Sequence, residues 1–175
     1  MRVWTIGHSN QPLDSLVDRL QRHQIALIAD VRRFPGSRRQ PHFSREQLAP
    51  ALSRRGIAYE WMPDLGGRRR PRLDSPNTAW RNEAFRGYAD YMATPAFEAA
   101  AARLLALSEA RPTAILCAEM LWWQCHRALI ADYLKVRGHQ VLHITGSGEA
   151  EPHPFTSAAR VENGRVSYSA TPLLG

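Results

Sequence analysis

Val3-Trp4-Thr5-Ile6 runs directly into Gly7-His8-Ser9-Asn10, an apolar stretch of strand length that ends in a polar turn. The same change recurs twice. Ile25-Ala26-Leu27-Ile28-Ala29 leads into Asp30-Val31-Arg32, and Thr113-Ala114-Ile115-Leu116 leads into Cys117-Ala118-Glu119. Each apolar run has the length of a buried strand, and each polar end precedes a stretch that can form a helix. In open α/β sheets, ligands bind outside the carboxyl ends of the strands. Three such ends carrying His, Asp, Arg, Cys and Glu predict one site assembled from distant segments.

Around these runs the pattern alternates between strand and helix. Leu13, Leu16, Val17 and Leu20 have helical spacing within Gln11–Arg22. Ser44-Arg45-Glu46-Gln47 has the form of a capping box and opens a helix that stops at Gly56. Ile57–Trp61 reads as a short third strand. Helices are predicted from Trp80 to Met92, from Thr94-Pro95 to about Ala110, and from Cys125 to Arg137 before Gly138. Gln140–Ile144 is a fifth strand, and Asn163-Gly164 between Val161 and Val166 signals a hairpin. The fold class expected is α/β. It is a single domain over residues 1–175, with a mainly parallel sheet of about five strands, helices on both faces and a C-terminal hairpin. A chain of 175 residues is long enough for one substantial core.

Residues 62–80 break this regularity. Pro63, Gly66, Gly67, Pro71 and Pro76 surround Arg68-Arg69-Arg70-Pro71-Arg72, and an irregular segment of this length usually has a function. The formal net charge is +7, and the basic residues are 22 Arg and the single Lys135. Thirteen of the arginines fall in residues 32–86, against five acids there. A compositional bias explains Arg over Lys but not the clustering. The cluster suggests a polyanionic partner, either nucleic acid or a nucleotide. No run approaches the ~18 apolar residues that span a membrane. The N-terminus lacks a signal-peptide pattern, and two cysteines make a poor disulfide framework. A cytoplasmic protein without membrane association is expected, and nothing in the sequence fixes an oligomeric state.

Several constellations can carry chemistry, each with a plainer alternative. His8 is a general base or a turn histidine bonded to backbone, and Ser9 beside it can bind phosphate. Asp30 and Arg32 lie on one side of a strand. They either present the Arg fork to phosphate or form a structural ion pair. Phe34-Pro35-Gly36-Ser37-Arg38-Arg39 interleaves aromatic and basic groups, as single-stranded nucleic-acid binders do. Leu65-Gly66-Gly67-Arg68 can form an anion nest. Cys117 and Glu119 precede Cys125-His126-Arg127 at a helix start, where anions are favoured and thiols acidified. Cys117 or Cys125 can be a nucleophile; Cys117, Cys125 and His126 can bind zinc; or the thiols simply pack. The zinc spacing is not a standard one, so no metal is assigned, and no cofactor is predicted. Trp122-Trp123 reads as core rather than as a stacking surface.

The motifs T-I-G-H-S-N (5–10), D-V-R-x-x-P-x-S-R (30–38), H-F-S (42–44), L-G-G-R (65–68), Y-A-D-Y-M (88–92), L-C-A-E (116–119), C-H-R-x-x-I-A-D-Y-L (125–134) and H-I (143–144) occur in this order. In order and spacing the chain resembles the family known as domain of unknown function 488 over residues 3–145, leaving 146–175 as an extension. The resemblance implies an α/β fold and a bacterial or archaeal cytoplasmic protein, and it implies no activity. It points to His8, Ser9, Asp30, Arg32, Ser37, Arg38, Glu119, Cys125, His126 and Arg127 as site residues. Met120–Gln124 is more apolar than the charged loop typical of the family.

Together these readings predict a hydrolase-type enzyme acting on nucleic acid or a nucleotide, by hydrolytic or glycosidic-bond chemistry. Catalysis falls to His8, Asp30, Glu119, Cys125 and His126. Phosphate binding falls to Ser9, Arg32, Ser37, Arg38, Arg39, Arg68 and Arg127. The alternatives are a non-catalytic nucleic-acid-binding or regulatory protein, and a small phosphorylated-metabolite or metal-dependent enzyme.

Overall fold

A computed structural model describes residues 1–36 and 38–170. Its central sheet contains β1 (Arg2–Gly7), β2 (Leu27–Asp30), β3 (Ala58–Trp61), β4 (Thr113–Cys117), β5 (Gln140–Ile144) and β6 (Glu151–Pro152), in the spatial order β3-β2-β4-β1-β5-β6. The first five pair in parallel, and β6 adds an antiparallel edge. Helices α1 (Leu13–Arg22), α2 (Arg45–Ser53), α3 (Glu83–Tyr91), α4 (Pro95–Ala110) and α5 (Arg127–Val136) are the five α-helices among the described residues. The protein is thus α/β, as the alternation predicts, with six sheet strands rather than about five. A separate hairpin, β7 (Arg160–Glu162) and β8 (Arg165–Ser167), turns at Asn163 and Gly164, both at positive φ. That is the type I′ geometry for which the Asn-Gly pair is selected.

Crossover handedness explains which face each helix covers. The chain moves outward from β1 to β2 to β3, then back through β4 to β5. Right-handed crossovers therefore put the helices of the two directions on opposite faces. On one face Leu16, Val17 and Leu20 of α1 and Leu48 and Leu52 of α2 pack on Ile6, Ile28, Ala114 and Leu116. On the other, α3, α4 and α5 cover Val3, Ala29, Ile115, Cys117 and Val141. Ile28 and Ala29, or Leu116 and Cys117, separate to opposite cores because strand side chains alternate.

Element ends differ from the sequence expectation where side chains or turns intervene. The helix expected from Trp80 starts at Glu83, because the Asn82 side chain accepts the N–H groups of Ala84 and Phe85. Ser44 stands at the start of α2, but its hydroxyl makes no capping bond. The helix expected from Cys125 begins at Arg127, since Cys125 is still extended. Ile25 belongs to the turn before β2, where its N–H bonds Leu20 O. The long 62–80 loop is held by Asp90, which accepts from Arg72 N, Ser75 Oγ and Asn77 Nδ2. No described helix is long and apolar enough to cross a membrane.

Candidate active site

Between β2 and β4 the connections leave in opposite directions, β2 toward β3 and β4 toward β5. This is a topological switch point, the place where open sheets leave a crevice. A cavity of about 350 Å³ lies there. Its floor includes Cys117, Ala118, Glu119, Cys125 and His126, and its walls include Arg32, Arg33, Phe34, Gly67, Arg68 and Phe85. The volume lies within the range of small-molecule sites.

The floor is fixed mainly by backbone. Past the end of β1 the ladder with β4 continues, with His8 N to Cys117 O at 3.0 Å and Ser9 N to Ala118 O at 2.9 Å. The strand-end loop of β4 then folds over β1 so closely that a Cβ on Gly7 would lie 1.8 Å from Glu119 O. Only glycine fits under that crossing. Arg127, 1 % exposed, holds the loop from beneath by donating from Nη2 to Glu119 O (2.6 Å) and Met120 O (3.2 Å). The guanidinium expected to bind phosphate is therefore an internal clamp, while the Glu119 side chain stays exposed in the cavity.

Cys117, Cys125 and His126 offer ligand atoms within 4.8 Å of one another. His126 Nδ1 is 3.6 Å from Cys125 Sγ and 3.9 Å from Cys117 Sγ, and its Nε2 donates to Val31 O at 3.0 Å. The two thiols are pushed apart in acidity. Cys117 is raised because it shares a proton with Cys125 and is buried. Cys125 is lowered: burial opposes this, but the bond from Cys117 and the charge and backbone N–H of Arg127 prevail.

Asp30 and Arg32 form a buried bidentate pair. Arg32 Nε donates to Oδ1 at 2.9 Å and Nη2 to Oδ2 at 2.7 Å, and the Tyr59 hydroxyl also donates to Oδ2. Arg32 Nη1 bonds Phe43 O (2.8 Å) and His8 Nε2 (3.3 Å), while His8 Nδ1 donates to Ser9 O (2.7 Å). His8 also stacks on Phe43, and neither His8 nor Asp30 lines the cavity. Both hold Arg32, which lines it. Ser9 has positive φ beside them. Arg38 and Arg39 are exposed outside the cavity, Arg68 lines it, and Ser37 lies outside the described residues.

Burial, with the positive Arg32 nearby, holds His8 down at about 4 against an ordinary 6.5. The unfolded chain therefore binds more protons between those values, so this contribution is full above pH 6.5 and lost as pH falls toward 4. The unfolding free energy from denaturant titrations across that window is expected to fall with acidity by up to about 1.4 kcal/mol per pH unit for this histidine. In His8→Asn that part of the slope should vanish; an unchanged slope would mean that His8 is protonated in the fold.

Sequence reasoning missed a second polar cluster on the α5 side of the sheet. Asp132 accepts His153 Nε2 (2.8 Å), Thr156 N (3.0 Å), Thr156 Oγ1 (2.6 Å) and the Tyr168 hydroxyl (2.8 Å). His153 Nδ1 meets His143 Nε2 at 2.8 Å, and His143 Nδ1 meets Thr5 Oγ1 at 2.6 Å. Thr5 Oγ1 in turn accepts Arg127 Nη1 at 3.5 Å. With both histidines neutral, one proton direction satisfies the whole chain, from Arg127 through Thr5, His143 and His153 to Asp132. Burial drives His143 far below its ordinary value, which keeps it neutral. Trp122 stacks on His143 at 4.5 Å, so it packs inward, while Trp123 is exposed.

The molecule is thus an α/β protein with a thiol-, imidazole- and carboxylate-lined cavity at the strand carboxyl ends. The chain belongs to the family described as domain of unknown function DUF488, whose model matches residues 12–134. No curated protein and no solved structure matches the chain.

Proposed function

We propose that the protein is an enzyme acting on nucleic acid or a nucleotide, by hydrolytic attack on a base or its glycosidic bond. One base enters the cavity, and the phosphates lie along the arginines outside it. The observation that carries this reading is the rim. Phe34 is 62 % exposed, and the guanidiniums of Arg33 and Arg68 lie over its ring at 5.5 and 5.7 Å. Arg33 and Arg68 also line a neighbouring cavity of about 400 Å³ with Arg69, Arg70 and Arg72. An aromatic face beside a cationic track suits a stacked base and its phosphodiester chain. In this reading Glu119, which lines the same cavity as His126 and Cys125, takes a proton from the attacking water.

Labelled single- and double-stranded DNA and RNA, titrated across a salt series, test the proposal. Binding should weaken steeply with salt, and Arg33→Ala/Arg68→Ala should flatten the slope by about one unit per lost phosphate contact. Phe34→Ala should weaken binding by about 1–3 kcal/mol. Glu119→Gln should bind normally and form no product. Salt-dependent binding with no product from wild type would leave a binding module; no binding at low salt would overturn both readings.

A further inference from the structure

We propose that Cys117, Cys125 and His126 form a zinc site with three protein ligands and a fourth position open to the cavity. The spacing in sequence, a Cys at the end of β4 and a Cys-His pair eight residues later, is not a standard one, but the fold makes it compact. In a tetrahedral site with ordinary Zn–S and Zn–N bond lengths, each sulfur lies about 3.6 Å from the nitrogen. Here the two separations are 3.6 and 3.9 Å, and the three ligand atoms lie within 4.8 Å of one another.

The surroundings fit the same group. His126 donates its Nε2–H to Val31 O, so the Nδ1 lone pair faces the thiols. A ligating histidine is commonly held by such a bond from its other nitrogen to a carbonyl. Arg127 N–H points at Cys125 Sγ from 3.5 Å, a bond suited to a thiolate. A Cβ on Gly67 would come within 2.9 Å of His126 Nδ1, so the glycine leaves room in front of that nitrogen. Two thiolates and a neutral imidazole around Zn²⁺ carry no net charge, which suits two cysteines that are almost fully buried.

Three protein ligands with one open position is the catalytic rather than the structural arrangement. Water in the fourth position would give its proton to Glu119, two residues after Cys117 and in the same cavity, and remain on the metal as hydroxide. The proposal stands apart from the identity of the substrate, since metal content is read without any nucleic acid.

The test is the metal content of the full chain, expressed without a histidine tag in zinc-supplemented medium and desalted. Wild type is expected to hold about one zinc per chain, and Cys117→Ser, Cys125→Ser and His126→Asn about a tenth of that or less. Near-ultraviolet circular dichroism shows whether each variant is folded. Cobalt exchanged into the wild type supplies a readout that needs no variant. A sulfur-to-cobalt charge-transfer band with intense visible d–d bands supports a four-coordinate thiolate site. Folded wild type without zinc or cobalt, with both thiols titrating freely or joined as a Cys117–Cys125 disulfide, overturns the proposal.

Discussion

Asp30→Ala is expected to destabilise the protein by about 3–5 kcal/mol, read as a lower urea midpoint with an unchanged slope. Asp30 is fully buried, and it accepts three hydrogen bonds from Arg32 and one from Tyr59. Removing the carboxylate leaves Arg32, 7 % exposed, with a full charge facing a carbonyl and an imidazole. The effect should shrink in the double variant Asp30→Leu/Arg32→Met, because well-packed apolar replacements remove both desolvation costs together. A single-variant loss below about 1 kcal/mol would mean that Arg32 turns out to solvent, as exposed pairs do.

The second large effect is expected from Asp132→Ala. The carboxylate gathers His153, Thr156 and Tyr168, all beyond the family-matched residues 12–134. Without it, two hydroxyls, a backbone N–H and an imidazole lose their buried acceptor, each costing about 1–3 kcal/mol if it stays unsatisfied. The expected outcome is local opening. Residues 151–170 become protease-sensitive while the parallel sheet keeps its slow amide exchange. Asp132→Asn should be milder, because its amide oxygen still accepts and the Thr156 and Tyr168 hydroxyls can turn to receive its N–H groups. Uniform loss of protection across the sheet would show that the C-terminal segment and the core unfold as one unit.

Much of this was legible in the sequence. Apolar runs of strand length marked β1, β2 and β4 because those strands are buried on both faces, and their polar ends placed the crevice. The i, i+2 relation of Asp30 and Arg32 foretold their pairing, although whether the fork served a ligand or the fold depended on Tyr59, Phe43 and His8, which only the tertiary structure brings near. Arg127 misled for a related reason. A cation at a helix start reads as an anion site, yet here the β4 loop passes close enough to present two carbonyls to it. Thr5, Asp132 and His143 each stood in a family motif, but nothing in the sequence joined them with His153 into one chain, because its members come from a helix, two strands and a loop with no common spacing. Cys117, Cys125 and His126 were visible as ligand types, but their separation in sequence hid how closely a strand end and a helix start converge.

The division between floor and rim has a consequence for how this site can change over time. The floor is set by the Gly7 crossing, the β1–β4 ladder and the Arg127 clamp, where almost any substitution disturbs the sheet. Phe34 and Arg33 sit on an irregular segment, at the two positions that the motif D-V-R-x-x-P leaves open, and Arg33 Nη1 donates to Arg68 O of the facing loop. Exchanges at such surface positions usually shift stability by no more than about 0.5 kcal/mol. A lineage carrying this architecture is therefore free to alter what the mouth of the cavity selects while inheriting its reactive groups unchanged. Divergence between relatives should gather at the rim and spare the floor.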